Sequence, residues 1–113
     1  NSDKRIISCD SGSKEVDVSK IIYIESSGHK VTYHIHGKEF GDYVVKSKLD
    51  DIENELKEYK YLLRVHQSYI VNMMYVNNIS SYRVYLKNGI DLGVPKSRYK
   101  EVKKRILEFK ENN

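Results

Sequence analysis

The residues with the clearest chemical potential lie in one short segment, Leu63 to Ser68, which reads Leu-Arg-Val-His-Gln-Ser. In a strand, alternation with period two sends Leu63 and Val65 to one face and Arg64 and His66 to the other. The glutamine and serine that follow then lie where the chain turns. Arg, His, Gln and Ser side chains bind phosphates and base edges, and none is a strong nucleophile without a partner. The segment therefore indicates binding rather than catalysis.

Other patterns that could support chemistry are weaker. His34 and His36 share a strand face, as two metal ligands would, but the sequence offers no third ligand at a suitable spacing. We expect both histidines to face solvent. His66 lies beside a serine, but no Gly-x-Ser-x-Gly motif and no Gly-rich phosphate loop is present. The sequence thus predicts no catalytic residue, no metal site and no cofactor.

Size and composition limit the class of protein. The 113 residues, of which 39% are hydrophobic and 32% charged, suit one soluble domain covering residues 1–113. No apolar run approaches the roughly 20 residues of a membrane span, and no secretion signal is evident. The single cysteine, Cys9, forms no internal disulfide, as is usual in a reducing compartment. We expect a cytoplasmic protein without membrane contact, and the absence of an initial Met suggests a piece of a longer one.

Charge is distributed unevenly along the chain. Residues 1–60 contain 10 basic and 12 acidic side chains, whereas residues 61–113 contain 10 and 4, so the halves carry −2 and +6. A basic half of this size favours a polyanionic partner such as nucleic acid. Charge alone leaves an acidic protein, a membrane surface or no partner at all as alternatives.

The predicted elements are mainly short antiparallel strands separated by Gly- and Ser-containing turns. In the first part of the chain they cover Arg5–Cys9, Glu15–Val18, Ile21–Glu25, Val31–His36 and Lys38–Val45. Ser47 is predicted to cap an amphipathic helix whose apolar positions are Leu49, Ile52, Leu56 and Tyr59.

The second part of the chain continues this pattern after the segment at 63–72. Strands are predicted at Tyr75–Ile79, Arg83–Lys87 and Ile90–Val94, the last two joined by a two-residue turn at Asn88-Gly89. From Ser97 onward, Tyr99, Val102, Ile106 and Phe109 form one apolar stripe among lysines and arginines, which predicts a basic amphipathic helix.

Three segments together resemble the LytTR DNA-binding domain family across nearly the whole chain. They are Ile22 to Val31, Leu63 to Asn72, and Asn88 to Arg98. The family's central signature, Arg-x-His-Arg-Ser-Tyr followed by Val-Asn, reads here Arg-Val-His-Gln-Ser-Tyr-Ile-Val-Asn. Gln67 replaces the usual arginine, and Pro95 stands where a serine is common, which removes a hydroxyl and a backbone donor.

The resemblance implies elongated antiparallel sheets whose loops, rather than a recognition helix, enter the DNA major groove. It assigns base contacts to His29, Gln67 and Lys96, and the chemistry of these side chains suits purine edges. The implied backbone contacts are Lys30, Lys48, Arg64, His66, Ser68 and Arg98. For Arg64, a structural ion pair, with Glu25 as the candidate partner, is an equal alternative.

As a member of this family, the chain is expected to be the C-terminal output domain of a bacterial transcriptional regulator, preceded by a receiver or sensor domain. The expected partner is double-stranded DNA in tandem direct repeats, and whether a homodimer forms there stays open. Two alternatives remain: a small β-rich protein-interaction or ligand-binding module with a basic face, and a metal-dependent nuclease.

Overall fold

The computed structural model describes residues 3–37 and 42–113, and within them the chain is mainly β. The strands are β1 Lys4–Cys9, β2 Gly12–Asp17, β3 Ile21–Ser27, β4 Lys30–Ile35, β5 Tyr43–Lys46, β6 Leu62–His66, β7 Tyr69–Asn72, β8 Val76–Ser80, β9 Arg83–Leu86 and β10 Asp91–Gly93. Two α-helices, α1 Leu49–Glu55 and α2 Lys96–Glu111, accompany them. The predicted class, antiparallel sheets with one amphipathic helix and a C-terminal helix, is confirmed.

A five-stranded antiparallel sheet in the order β5-β4-β3-β7-β6 forms the centre of the described fold. One face carries the core shared with the three-stranded sheet β10-β9-β8 and with α2. The opposite face carries a second core with α1 and the β1-β2 hairpin. Because both faces are covered, inner strands such as β3 are buried along most of their length.

The faces predicted for β6 are confirmed on the core side. Leu63 and Val65 are 8% and 0% exposed and belong to the core that includes α2. The stripe predicted on α2 is also confirmed, because Val102 and Ile106 are buried in that core. The central sheet is therefore fixed against α2 at its β6 edge.

Three local predictions at helix and turn positions are wrong. Ser47 does not cap α1, because the helix begins one residue later than the sequence suggested, with Lys48 in the cap position and no side-chain cap. Tyr59 lies beyond α1, in a turn where its N–H donates to the Leu56 carbonyl at 3.0 Å. The hairpin at Asn88-Gly89 exists, but its loop comprises the three residues 87–89, because the Leu86 N–H donates to the Ile90 carbonyl at 2.8 Å.

His34, in β4, also differs from expectation. His34 is not solvent-facing: its Nε2 lies 2.6 Å from Glu25 Oε1 and its Nδ1 lies 2.8 Å from Asp42 Oδ2. Its ring stacks on Tyr23 at 4.1 Å, and burial, aided by Glu25 and Asp42, raises the pKa of Tyr23 to about 12. His36 is exposed, as predicted. The predicted strand Lys38–Val45 is observed only as β5, and residues 38–41 lie outside the described part.

Candidate nucleic-acid interface

The β3-β4 turn brings the first predicted base-contacting residue to one end of the central sheet. Ser27 pairs with Lys30, so the turn consists of Gly28 and His29. Gly28 has φ +61°, a left-handed conformation that favours glycine, and such tight turns match the twist of the flanking strands. His29 and Lys30 are both exposed. The turn therefore presents an imidazole and an ammonium to solvent.

The end of β5 lies beside this turn. Lys46 pairs directly with Lys30, and the Ser47 N–H donates to the His29 carbonyl at 3.1 Å. Lys48, exposed at the start of α1, follows immediately. Two lysines directly opposite each other repel, so this corner of the sheet favours an anion between them. Lys46 was missed at the sequence level because its proximity to Lys30 depends on the β4-β5 register.

The β6-β7 turn lies at the same end of the sheet. His66 pairs with Tyr69, which leaves Gln67 and Ser68 in the turn, and Gln67 is exposed. The Ser26 N–H donates to the Ser68 carbonyl at 2.9 Å, which joins this turn to β3 just before the Gly28 turn. The polar residues of three separate segments thus lie at one end of the central sheet.

Hydrogen bonds within the β6-β7 turn fix its backbone. The Ser68 N–H donates to His66 Nδ1 at 2.9 Å, which leaves His66 Nε2 as the remaining ring nitrogen for an outside partner. Arg64 donates from Nε to the His66 carbonyl at 2.8 Å and from Nη2 to the Gln67 carbonyl at 2.6 Å. The turn is held by side chains that belong to its own strand.

The predicted ion-pair partner of Arg64 was wrong, since Glu25 instead contacts His34. The Nη1 atom of Arg64 donates to Asp50 Oδ1 at 2.9 Å and to Glu53 Oε1 at 2.7 Å, both on α1. The side chain of Arg64 is only 9% exposed. No signal in the sequence singles out Asp50 and Glu53, because they reach Arg64 only once α1 packs on the sheet.

The third predicted segment lies at the start of α2. Pro95 occupies the cap position, and the Arg98 N–H donates to its carbonyl at 3.0 Å. Arg98 lines a groove of about 360 Å³ together with Arg64, which places it beside β6. Lys96 is exposed, but within residues 3–37 and 42–113 no hydrogen bond links it to either turn.

Asn72, the last residue of the signature, has a structural role. It is fully buried, and its Nδ2 donates to the carbonyls of Ser19 and Ile21 at 3.0 and 2.8 Å. Its Oδ1 accepts from the Met74 N–H at 2.9 Å. This side chain therefore ties the end of β7 to the start of β3.

Exposed basic and amide side chains on turns can contact phosphates and base edges. Across the described residues, no group of three or more His, Cys, Asp or Glu is arranged to hold a metal ion. Nor does any described helix have the length and apolar character needed to cross a membrane.

Comparison with known proteins identifies the family. The model of the LytTr DNA-binding domain matches residues 11–107, so the chain belongs to this family of DNA-binding domains. The sensory transduction protein LytT of Bacillus subtilis (strain 168) is 33% identical over 97 residues, which is 80% of this chain and 38% of that protein. A solved LytTr DNA-binding domain of a response regulator from Bacillus cereus superposes with a TM-score of 0.72 at 20% identity, covering 95% of this chain and 98% of that one.

Proposed function

We propose that this domain binds double-stranded DNA sequence-specifically, by inserting the Gly28-His29 turn, the Gln67-Ser68 turn and the start of α2 into the major groove. The observation that carries the proposal is that backbone hydrogen bonds gather the Gly28-His29 turn, Ser47 and the Gln67-Ser68 turn at one end of a rigid sheet. Side chains on such turns reach base edges without a recognition helix.

The proposed contacts divide by chemistry. Gln67 suits adenine N6 and N7, Lys96 suits guanine O6 and N7, and His29 suits a purine acceptor. Phosphate contacts are proposed for exposed cations and for polar turn groups that need not distinguish bases. They are Lys30, Lys46, Lys48, Ser68, Arg98, and His66 through Nε2.

The wider role proposed is that of the output domain of a bacterial transcriptional regulator. The chain spans 38% of the length of the LytT protein that it matches, and we propose that a receiver or sensor domain belongs to the full-length protein here too. We further propose tandem direct repeats as the target, with two copies of the domain per site. The stoichiometry of the complex on one and two repeats, measured by light scattering, tests this.

The first prediction separates base contacts from phosphate contacts. Selection from random duplexes should enrich one sequence, and Gln67→Ala and Lys96→Ala should each lose about 1–3 kcal/mol on it. Discrimination should also relax at one or two base pairs, whereas Lys30→Ala should weaken all sequences alike. Binding of each variant to the selected site and to its single-base variants is the measurement.

Lys104→Ala provides the matched control, because Lys104 is exposed on α2 away from its buried stripe. It should leave discrimination unchanged. If selection enriches nothing, and acidic polymers bind as well as DNA does, the alternative of a protein-interaction module with a basic face replaces this proposal. If Gln67→Ala and Lys96→Ala weaken every sequence equally, both residues contact phosphates instead.

A further inference from the structure

We infer that Arg64 is a positioning residue for base recognition, which acts through the backbone of the β6-β7 turn and does not itself bind DNA. The inference rests on the proposed function of Gln67 as a base-contacting residue. The sequence alone left two roles open for Arg64, a phosphate contact and a structural ion pair.

The guanidinium of Arg64 is already engaged within the protein. Arginine has five N–H donors, and four contacts to described residues are present: two to turn carbonyls and two to the carboxylates of Asp50 and Glu53. The side chain is 9% exposed. One cation between two carboxylates leaves a net charge of −1, which disfavours a phosphate at this point.

The four contacts connect α1 to the turn. The guanidinium of Arg64 donates hydrogen bonds to Asp50 and Glu53 of α1. It also donates to the carbonyls of His66 and Gln67 in the turn. The planar fork of arginine can satisfy all four acceptors at once, whereas a lysine ammonium offers only three donors on a flexible stem.

Hydrogen bonds consequently hold the backbone on both sides of Gln67. The carbonyls of His66 and Gln67 accept from Arg64, and the Ser68 N–H and carbonyl bond to His66 Nδ1 and to the Ser26 N–H. Only the Gln67 side chain is left exposed. A side chain on a fixed backbone loses less conformational freedom on binding and holds a narrower hydrogen-bond geometry, which sharpens discrimination.

The second prediction is specific to the base pairs that Gln67 contacts, which are identified from the Gln67→Ala binding profile. Arg64→Lys keeps the positive charge but removes the planar guanidinium. Discrimination between bases at those base pairs should therefore fall about tenfold, while discrimination at the other positions of the site should not change. In a Gln67→Ala background, Arg64→Lys should cause no further loss there. Arg83→Lys is the matched control, because Arg83 pairs with Asp91 at 2.6 Å and, among the described residues, donates no hydrogen bond to the β6-β7 turn.

A second variant keeps the test decisive if Arg64→Lys fails to fold, as judged by thermal melting. Asp50→Ala combined with Glu53→Ala alters two exposed side chains and removes both acceptors that hold Arg64 on α1. Discrimination at the Gln67 base pairs should again fall. If Arg64 instead contacts phosphate, this double variant frees it, so affinity rises for all sequences with discrimination unchanged.

Three results overturn the inference: discrimination that is unchanged in both variants, discrimination that is lost equally at all positions, or further loss in the Gln67→Ala background. A failure of the proposed function looks different, because the unaltered domain then enriches no sequence at all. The two failures are therefore distinguishable in one set of binding profiles.

Discussion

At the scale of single residues, polar side chains in this domain divide into those that are bonded inside the protein and those that are left exposed. Asn72 and Arg64 each form several hydrogen bonds within the protein, and each joins segments that are distant in the sequence. Gln67 and His29, by contrast, are exposed on turns whose backbones are held by other groups. The residues that form hydrogen bonds within the protein determine where the turns lie, and the exposed residues are available to a binding partner.

The third prediction concerns Asn72. Asn72→Ala leaves the carbonyls of Ser19 and Ile21 and the Met74 N–H without this partner, so the free energy of unfolding should fall by at least about 2 kcal/mol. Chemical denaturation measures the loss. Asn77→Ala on exposed β8 is the control and should change stability by less than about 0.5 kcal/mol. Equal effects of the two changes would show that water replaces the Asn72 contacts.

At the scale of elements, the two faces of β6 pack against different helices. Val65 is fully buried between the central sheet and α2, while Arg64 lies on the α1 side. A bulge between Arg64 and His66 breaks the regular pairing just before the turn. Bulges redirect side chains at the end of a strand, which suits a strand that leads into a binding turn.

The fourth prediction tests this face assignment. Val65→Asp places an unpaired charge in the core, and the cost should reach several kcal/mol, comparable with the whole stability of a small domain. Loss of the cooperative thermal transition is the expected result. Ser8→Asp on an exposed position of β1 is the matched control and should melt near the unaltered protein. A Val65→Asp domain with an unchanged transition would mean that this face is not packed in solution.

Local pattern predicted these elements better than it predicted their contacts. Alternation identified the core face of β6, and apolar spacing identified α2, because each depends only on neighbours within one element. The failed Ser47 cap has a tertiary cause: its N–H bonds to the His29 carbonyl, and α1 starts one residue later. The pairing of Lys46 with Lys30 was missed in the same way, since it depends on strand register rather than on spacing.

At the scale of the whole molecule, the arginines that form ion pairs are not the cations proposed to bind DNA. Arg5, Arg64 and Arg83 each contact a carboxylate. Within the described residues, no ion pair neutralises any of four cations proposed to contact phosphates, which are Lys30, Lys46, Lys48 and Arg98. The basic character of the second half therefore matters less than which charges remain free of ion pairs.

The fifth prediction counts these free charges. Each phosphate neutralised on duplex DNA contributes about −0.9 to the slope of log K against log salt concentration, so four should give a slope of about −3.6. Lys48→Ala should make the slope less negative by about 0.9, because one released counterion is lost. Arg83→Ala, which removes a cation already paired with Asp91, is the control and should leave the slope unchanged. A flat dependence in the unaltered domain would contradict phosphate contacts by these cations, and an equal shift in both variants would show that only net charge matters.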